Sequence, residues 1–153
     1  MDMKTLVLGV GSSILTDDAV GIAVARALEK RVGPRTGVEY AVNEEGGFTL
    51  LEDAVGFDRL VVVDAVIGSE PGRLLRLDLA GLGPTVHCGG PHGLNLATVL
   101  EFGRRQGLPV PTEVVVYAVE VKDTTTFGER LSPEVEARVP EIAAAIEAEL
   151  FGP

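Results

Sequence analysis

Two adjacent carboxylates stand where an α/β chain commonly binds a ligand. Asp17 and Asp18 follow an apolar segment, Thr5–Val10, and a turn that contains glycine, and they precede an apolar pattern with helical spacing. A glycine-rich turn between a strand and a helix usually binds phosphate, because helix N-termini attract anions. Two carboxylates would repel phosphate, so this turn is more suited to a cation.

The two acids are expected to have different roles. Aspartate is a favoured N-cap residue, and its charge suits the positive end of a helix. We therefore expect Asp17 to cap the helix locally and Asp18 to face the cleft, although the local sequence alone does not separate a capping pair from a functional pair. A nucleotide site is disfavoured, because Ile14 stands where the dinucleotide fingerprint has its third glycine and no Walker-type Gly-Lys-Ser occurs.

A third acidic residue follows the most apolar segment of the chain. Asp64 comes directly after Leu60–Val63, which is predicted to be a central strand that ends at Asp64. A carboxylate in that position is partly desolvated and needs a cation, a metal ion or several hydrogen bonds. Ligand sites of open α/β sheets lie at the carboxyl ends of parallel strands. Asp64 is therefore a candidate functional residue.

Both histidines of the chain, His87 and His92, lie in one glycine-rich loop. We favour His92 over His87, because His92 is at the start of a predicted helix, Gly93–Arg105, that points towards the edge of the sheet. Either histidine could instead hydrogen-bond the loop. Cys88 would need a basic partner to become a nucleophile, and we expect it to be a small loop residue.

The combination of Asp18, Asp64 and His92 would supply hard oxygen ligands and one imidazole. Such a set suits a borderline divalent ion such as nickel, zinc or manganese, and it leaves coordination positions open for substrate or water. A structural zinc site would normally be four-coordinate and closed.

The elements that must position these residues alternate between strands and helices, which predicts an α/β fold in one domain, residues 1–153. The prediction is a three-layer α/β/α sandwich with about five strands and five helices. The predicted strands are Thr5–Val10, Val38–Val42, Leu60–Val63, Arg73–Leu77 and Val114–Val119; the predicted helices are Ala19–Lys30, Phe48–Val55, Gly93–Arg105, one starting at Ser132-Pro133, and Ile142–Leu150 after a kink or restart at Pro140. Arg73–Leu77 alternates polar and apolar residues, which is compatible with an antiparallel strand that has one solvated side.

Charge and composition exclude several classes of partner. The net charge of -10 argues against nucleic acid or an anionic membrane, because both require a positive surface. No apolar run approaches the roughly 18 residues of a membrane span, and we expect no membrane insertion. With one cysteine the chain cannot form an internal disulfide, and it has no evident secretory signal, so we expect a reducing cytoplasm.

The sequence resembles the nickel–iron hydrogenase maturation proteases in four ordered segments that span nearly the whole chain. These segments are Leu8–Gly21, Val62–Ala65, Pro91–Leu94 and Thr125–Val135. The resemblance implies a five-stranded sheet with one antiparallel strand. It also implies an endopeptidase that removes a C-terminal peptide from the nickel-loaded precursor of the hydrogenase large subunit. In such a protein Asp18, Asp64 and His92 would bind the nickel that the precursor carries, and would form the catalytic site.

The chain departs from the family pattern in a loop that is thought to govern substrate choice. Glu45, Gly46 and Gly47 stand where some members have an Asp-Gly-Gly-Thr type of sequence, so they are candidate substrate contacts. Ser12 and Ala19 are milder departures. The peptidase could be of the aspartic type or metal-dependent. Two alternatives are a metal-dependent hydrolase of a small amide, and a non-enzymatic module that senses nickel or binds nucleotide.

Overall fold

A five-stranded sheet lies at the centre of the molecule, with strand order β2-β1-β3-β5-β4. The computed structural model describes residues 3–79, 85–89 and 95–152. The strands are β1 (Thr5–Val10), β2 (Val38–Asn43), β3 (Arg59–Ile67), β4 (Leu74–Leu77) and β5 (Glu113–Val121); the helices are α1 (Val20–Val32), α2 (Thr49–Ala54), α3 (Leu96–Arg105) and α4 (Pro133–Phe151). β4 runs antiparallel to β5, and the other neighbours are parallel, which confirms the predicted mixed sheet.

The central strands are apolar on both sides because helices cover both faces of the sheet. Side chains alternate along a strand, so Val7, Val61 and Val63 pack in one cluster with α1 and α4. Leu8 and Val62 pack on the opposite face with α2 and α3. The result is the predicted α/β/α sandwich. In the part of the chain that the structure describes, no helix is long and apolar enough to cross a membrane.

The predicted break at Pro140 is wrong, because α4 is one continuous helix that contains this residue. Proline lacks an N–H group and so removes one helical hydrogen bond. The buried side chains of Val135, Ile142 and Ile146 lie on both sides of Pro140 and pack in the same core cluster. This packing keeps the helix in place, and it explains why the described residues contain four α-helices and not five.

Helix α3 begins later than predicted, at Leu96. Asn95 caps it, since its side-chain oxygen accepts a hydrogen bond from the Thr98 N–H at 2.9 Å. The first residues of the predicted helix, Gly93 and Leu94, lie outside the described residues.

Two glycines allow α1 to pack with its backbone directly against the sheet. A Cβ atom at Gly21 would lie 2.2 Å from the Val63 carbonyl oxygen and 2.7 Å from that of Val10. A Cβ atom at Gly9 would lie 2.6 Å from the Gly21 carbonyl oxygen. This close approach brings the turn before α1 to the carboxyl ends of β1 and β3.

Gly21→Ala is expected to lower the free energy of unfolding by about 3 kcal/mol or more, because the added methyl group meets backbone carbonyls that cannot move aside. Gly103→Ala is the matched control, since its methyl group would meet side-chain atoms, Leu51 Cδ1 at 2.5 Å and Val110 Cγ1 at 3.0 Å. These side chains can rotate away, so the free energy of unfolding of Gly103→Ala is expected to fall by only about 1 kcal/mol. Urea denaturation measures both variants, and equal losses would contradict the backbone-contact explanation.

Candidate functional site

The strand register places Asp64 at the edge where β1 ends. Gly9 pairs with Val63, which is the last β1–β3 pair, while β3 continues alongside β5 to Ile67. The sequence predicted that the strand ends at Asp64. This prediction is wrong, because β3 continues past Asp64 in its pairing with β5. β2 and β3 lie on opposite sides of β1, so this edge is the switch point of the strand order, where open α/β sheets bind ligands.

The Asp64 carboxylate is fully buried and holds the segment 85–89 against β3. Its Oδ1 accepts the Ala65 N–H at 2.8 Å. Its Oδ2 accepts the N–H groups of His87 at 2.8 Å and Cys88 at 2.9 Å. Burial raises the pKa of Asp64, and these donors together with the nearby His87 oppose that rise.

Asp18 lies in the short 3₁₀ turn Thr16–Ala19 and contacts the His87 imidazole. The His87 Nε2 atom lies 2.8 Å from Asp18 Oδ1 and 2.9 Å from Oδ2. Asp18 Oδ2 also accepts the Ser12 N–H at 3.0 Å. The Asp18 side chain is 2% exposed and the His87 side chain 26% exposed. The hydrogen bond with Asp18 raises the pKa of His87, as does the charge of Asp64, against the opposing effect of burial.

The structure thus brings together Asp18, Asp64 and His87, through one side-chain and one backbone contact of the histidine. His92, which the sequence favoured, lies outside the described residues, so its position stays a prediction. Both histidines lie in one glycine-rich loop, and the sequence did not predict the contact of His87 with Asp18. Nothing in the local sequence shows that the backbone at residue 87 turns onto a strand residue 23 positions earlier.

Asp17 does not cap the helix that follows it, so the predicted local cap is wrong. Neither the 3₁₀ turn nor α1 has a side-chain cap. Asp17 Oδ1 instead accepts the Ser132 N–H at 2.7 Å, and Oδ2 accepts the Ser132 hydroxyl at 2.8 Å. Ser132 is the N-cap residue of α4, as predicted, but its hydroxyl bonds to Asp17 and not to its own helix. The buried Asp17 therefore ties the start of α4 to the candidate site.

Asp17→Ala is expected to lower the free energy of unfolding by about 2–3 kcal/mol, because hydrogen bonds to a buried charged acceptor are strong. Ser132→Ala removes only the hydroxyl and should cost about 1–2 kcal/mol. The double variant should be little less stable than Asp17→Ala, since both changes remove the same contact. Urea denaturation of the three variants measures this coupling, and fully additive losses would show that the two residues act independently.

The loop with Glu45, Gly46 and Gly47 lies beside the Asp18 turn. Asn43 Oδ1 accepts the N–H groups of Glu45 at 3.0 Å and Gly46 at 2.7 Å. Gly46 and Gly47 have φ angles of 69° and 59°, which favour glycine. The Glu45 side chain is exposed.

The turn at residues 11–13 connects this loop to Asp18. The Gly11 N–H donates to the Asn43 carbonyl at 3.1 Å. The Ser13 N–H donates to Glu44 Oε1 at 2.8 Å. Because the intervening Ser12 donates its N–H to Asp18, a molecule that contacts the loop would lie close to the buried acid.

Cys88 is not placed to act as a nucleophile. Its side chain is fully buried. Burial and the charge of Asp64 raise the pKa of the thiol well above its usual value, and the reactive form of cysteine is the thiolate. The structure agrees with the expectation of a small loop residue.

The donor set fits a metal ion that brings ligands of its own. Among residues 3–79, 85–89 and 95–152, no three His, Cys, Asp or Glu side chains converge closely enough to hold an ion. Asp18 and His87 nevertheless supply a carboxylate and an imidazole within hydrogen-bond distance. This combination suits borderline divalent ions and differs from a closed, four-coordinate structural site.

Comparison with known proteins assigns the chain to a family. The family model described as "Hydrogenase maturation protease" matches residues 22–149. The hydrogenase 2 maturation protease of Escherichia coli K12 is 33% identical over 141 residues, which cover 90% of this chain and 84% of that protein.

Solved structures agree with this assignment. The hydrogenase maturating endopeptidase HybD from E. coli has a TM-score of 0.78 and 31% identity, with 97% of this chain and 93% of that chain covered. The [NiFe] hydrogenase maturation protease HycI from Thermococcus kodakarensis has a TM-score of 0.70 and 26% identity, with coverages of 97% and 93%. This protein belongs to the hydrogenase maturation protease family and is a peptidase.

Proposed function

We propose that this protein removes a C-terminal peptide from the nickel-loaded precursor of the large subunit of a nickel–iron hydrogenase. The family membership supports the proteolytic activity. The single observation that carries the proposed site is the buried Asp18 carboxylate with an imidazole nitrogen 2.8 Å away, at the switch point of the sheet. A buried carboxylate there is suited to binding a cation that the substrate presents.

In this proposal the nickel ion is part of the substrate. Asp18, Asp64 and His92 are the proposed nickel contacts. When bound, such an ion polarises the scissile carbonyl group and lowers the pKa of a water molecule. A carboxylate of the site, for which Asp18 is the candidate, accepts the proton of the attacking water.

The contacts of the two acids favour a metal-dependent peptidase over one of the aspartic type. An aspartic protease uses two carboxylates that share a proton. Within the described residues, Asp18 is bonded to His87 and Ser12, whereas Asp64 is bonded to backbone N–H groups. Each acid therefore has separate partners, and neither is bonded to the other in that part of the chain.

The precursor is the proposed partner, and the loop of Glu45, Gly46 and Gly47 is its proposed contact beside the cleavage site. The hydrogen bonds that join this loop to the 11–13 turn support this placement. A cytoplasmic location is also proposed, since the one cysteine is a free, buried thiol.

Mass spectrometry of the large-subunit precursor tests this function. The nickel-loaded precursor, incubated with this protein, should lose a C-terminal peptide, and the nickel-free precursor should stay intact. Cleavage without nickel would contradict the role of the ion as a recognition signal. Hydrolysis of small amides without any cleavage of the precursor would favour the small-amide hydrolase, and a stoichiometric complex without proteolysis would favour a nickel-sensing module.

A further inference from the structure

We propose that His87 is a metal ligand, and that its Nε2 atom binds the incoming divalent ion together with the carboxylate of Asp18. The inference rests on the proposed function only in taking nickel as the ion. It concerns a residue of this chain that neither the family match nor the sequence analysis assigned to the metal.

Among Asp18, Asp64 and His87, the imidazole of His87 is the most accessible group. The His87 side chain is 26% exposed, whereas the Asp18 side chain is 2% exposed and Asp64 is fully buried. Because the ring contacts both Asp18 oxygens, an ion that approaches Asp18 from solvent meets His87 first. The ring must then either move away from the carboxylate or join it in binding the ion.

The spacing of the two groups favours joint binding. Bonds from a divalent ion to imidazole nitrogen and carboxylate oxygen are about 2.0–2.2 Å long. Two such ligands at a right angle are therefore about 3 Å apart. The His87 Nε2 atom lies 2.8 and 2.9 Å from the Asp18 oxygens. An ion can thus be bound by both groups once the Nε2 proton leaves to solvent and the ring turns so that its lone pair faces the ion.

The backbone around His87 holds the ring in this position. The N–H groups of His87 and Cys88 both donate to Asp64 Oδ2. The Cys88 carbonyl accepts the Leu96 N–H at 2.9 Å, at the start of α3. The residue is thus connected to β3 on one side and to α3 on the other. Such supporting hydrogen bonds orient metal ligands and lower the cost of binding.

The chemistry of the pair matches nickel carried by another protein. Carboxylate and imidazole suit borderline divalent ions. An ion that arrives with ligands from the precursor needs few from the protease, and Asp18 and His87 would supply two of them.

Nitrogen-15 NMR with cadmium-113 as the probe detects a bond between the metal ion and His87 Nε2 directly. The chain has two histidines, so the variants His87→Gln and His92→Gln assign every imidazole signal. On addition of ¹¹³Cd²⁺ to the ¹⁵N-labelled protein, the His87 Nε2 signal should shift and split through coupling to cadmium. An Nε2 that keeps its proton and shows no coupling at saturating cadmium would overturn the proposal.

Calorimetry with Ni²⁺ alone provides a second readout. His87→Gln should lower the affinity at least tenfold, and His87→Gln combined with Asp18→Asn should be little worse than Asp18→Asn alone. Unchanged or tighter binding by His87→Gln would show that the ring only covers Asp18, and would overturn the proposal. The NMR measurement on the unchanged protein remains decisive if that variant fails to fold.

Neither measurement uses the precursor, so this inference and the proposed function fail separately. Cadmium coupling to His87 without any precursor cleavage would refute the proposed function alone. Cleavage of nickel-loaded precursor without cadmium coupling to His87 would refute the ligand role alone.

Discussion

Asp64→Asn is expected to abolish precursor cleavage and to lower the free energy of unfolding by about 2–4 kcal/mol. Both oxygens of the buried carboxylate accept backbone N–H groups, from Ala65, His87 and Cys88. Asparagine keeps one acceptor oxygen and turns an NH₂ group towards another donor, so at least one buried N–H loses its partner. The segment that carries His87 would then no longer be held to β3.

The sequence alone predicts that this variant loses activity while the fold stays intact, and the structure adds the cost in stability. Asp58→Asn is the matched control. Asp58 also accepts a backbone N–H, from Lys4 at 2.8 Å, but at an exposed position where water can replace the bond. The free energy of unfolding of Asp58→Asn should fall by less than about 1 kcal/mol. Urea denaturation and mass spectrometry of the precursor measure both effects, and a stable, active Asp64→Asn variant would refute the anchoring role.

Asp18→Asn is expected to slow precursor cleavage by about 10²–10⁴-fold, because it removes the proposed nickel contact and proton acceptor. Its stability cost should be smaller, about 1 kcal/mol. The asparagine oxygen can still accept the Ser12 N–H, and its NH₂ group can donate to the neutral form of the His87 ring. Asp18→Asn should therefore lose most of its activity and little stability, whereas Asp64→Asn should lose both.

Asp18→Glu is the control for charge, since it keeps the carboxylate. It should retain more cleavage than Asp18→Asn although its longer side chain fits the buried site less well. The rate of appearance of the C-terminal peptide, followed by mass spectrometry, measures both variants. Cleavage by Asp18→Asn at the normal rate would remove Asp18 from the mechanism.

The strands of the sheet could be predicted because each is defined by residues that are adjacent in the sequence. Thr5–Val10 and Leu60–Val63 are continuous apolar runs, and a strand of that composition is stable only when covered on both faces. Ends of elements were harder to predict. β3 passes through Asp64 because β5 pairs with it to Val121, and α4 passes through Pro140 because residues on both sides of the proline pack in one core.

Asp18 and Asp64 could be recognised as candidate site residues from their places after strands, because the carboxyl ends of parallel strands meet at one edge. Their partners could not be predicted. The contact of Asp17 with Ser132 joins residues 115 positions apart, and that of Asp64 with the His87 backbone joins residues 23 positions apart.

By itself, the sequence determined the strands, the helices apart from the break at Pro140, the family, and the meeting of Asp18 and Asp64 at one edge of the sheet. The tertiary structure alone decided that Asp17 holds the last helix, that Asp64 binds backbone N–H groups, and that the His87 imidazole lies beside Asp18. The physical reason is that the apolar pattern of a strand or helix is formed by residues that are close together in the sequence. A buried carboxylate, in contrast, takes whichever donors the packed chain brings within about 3 Å.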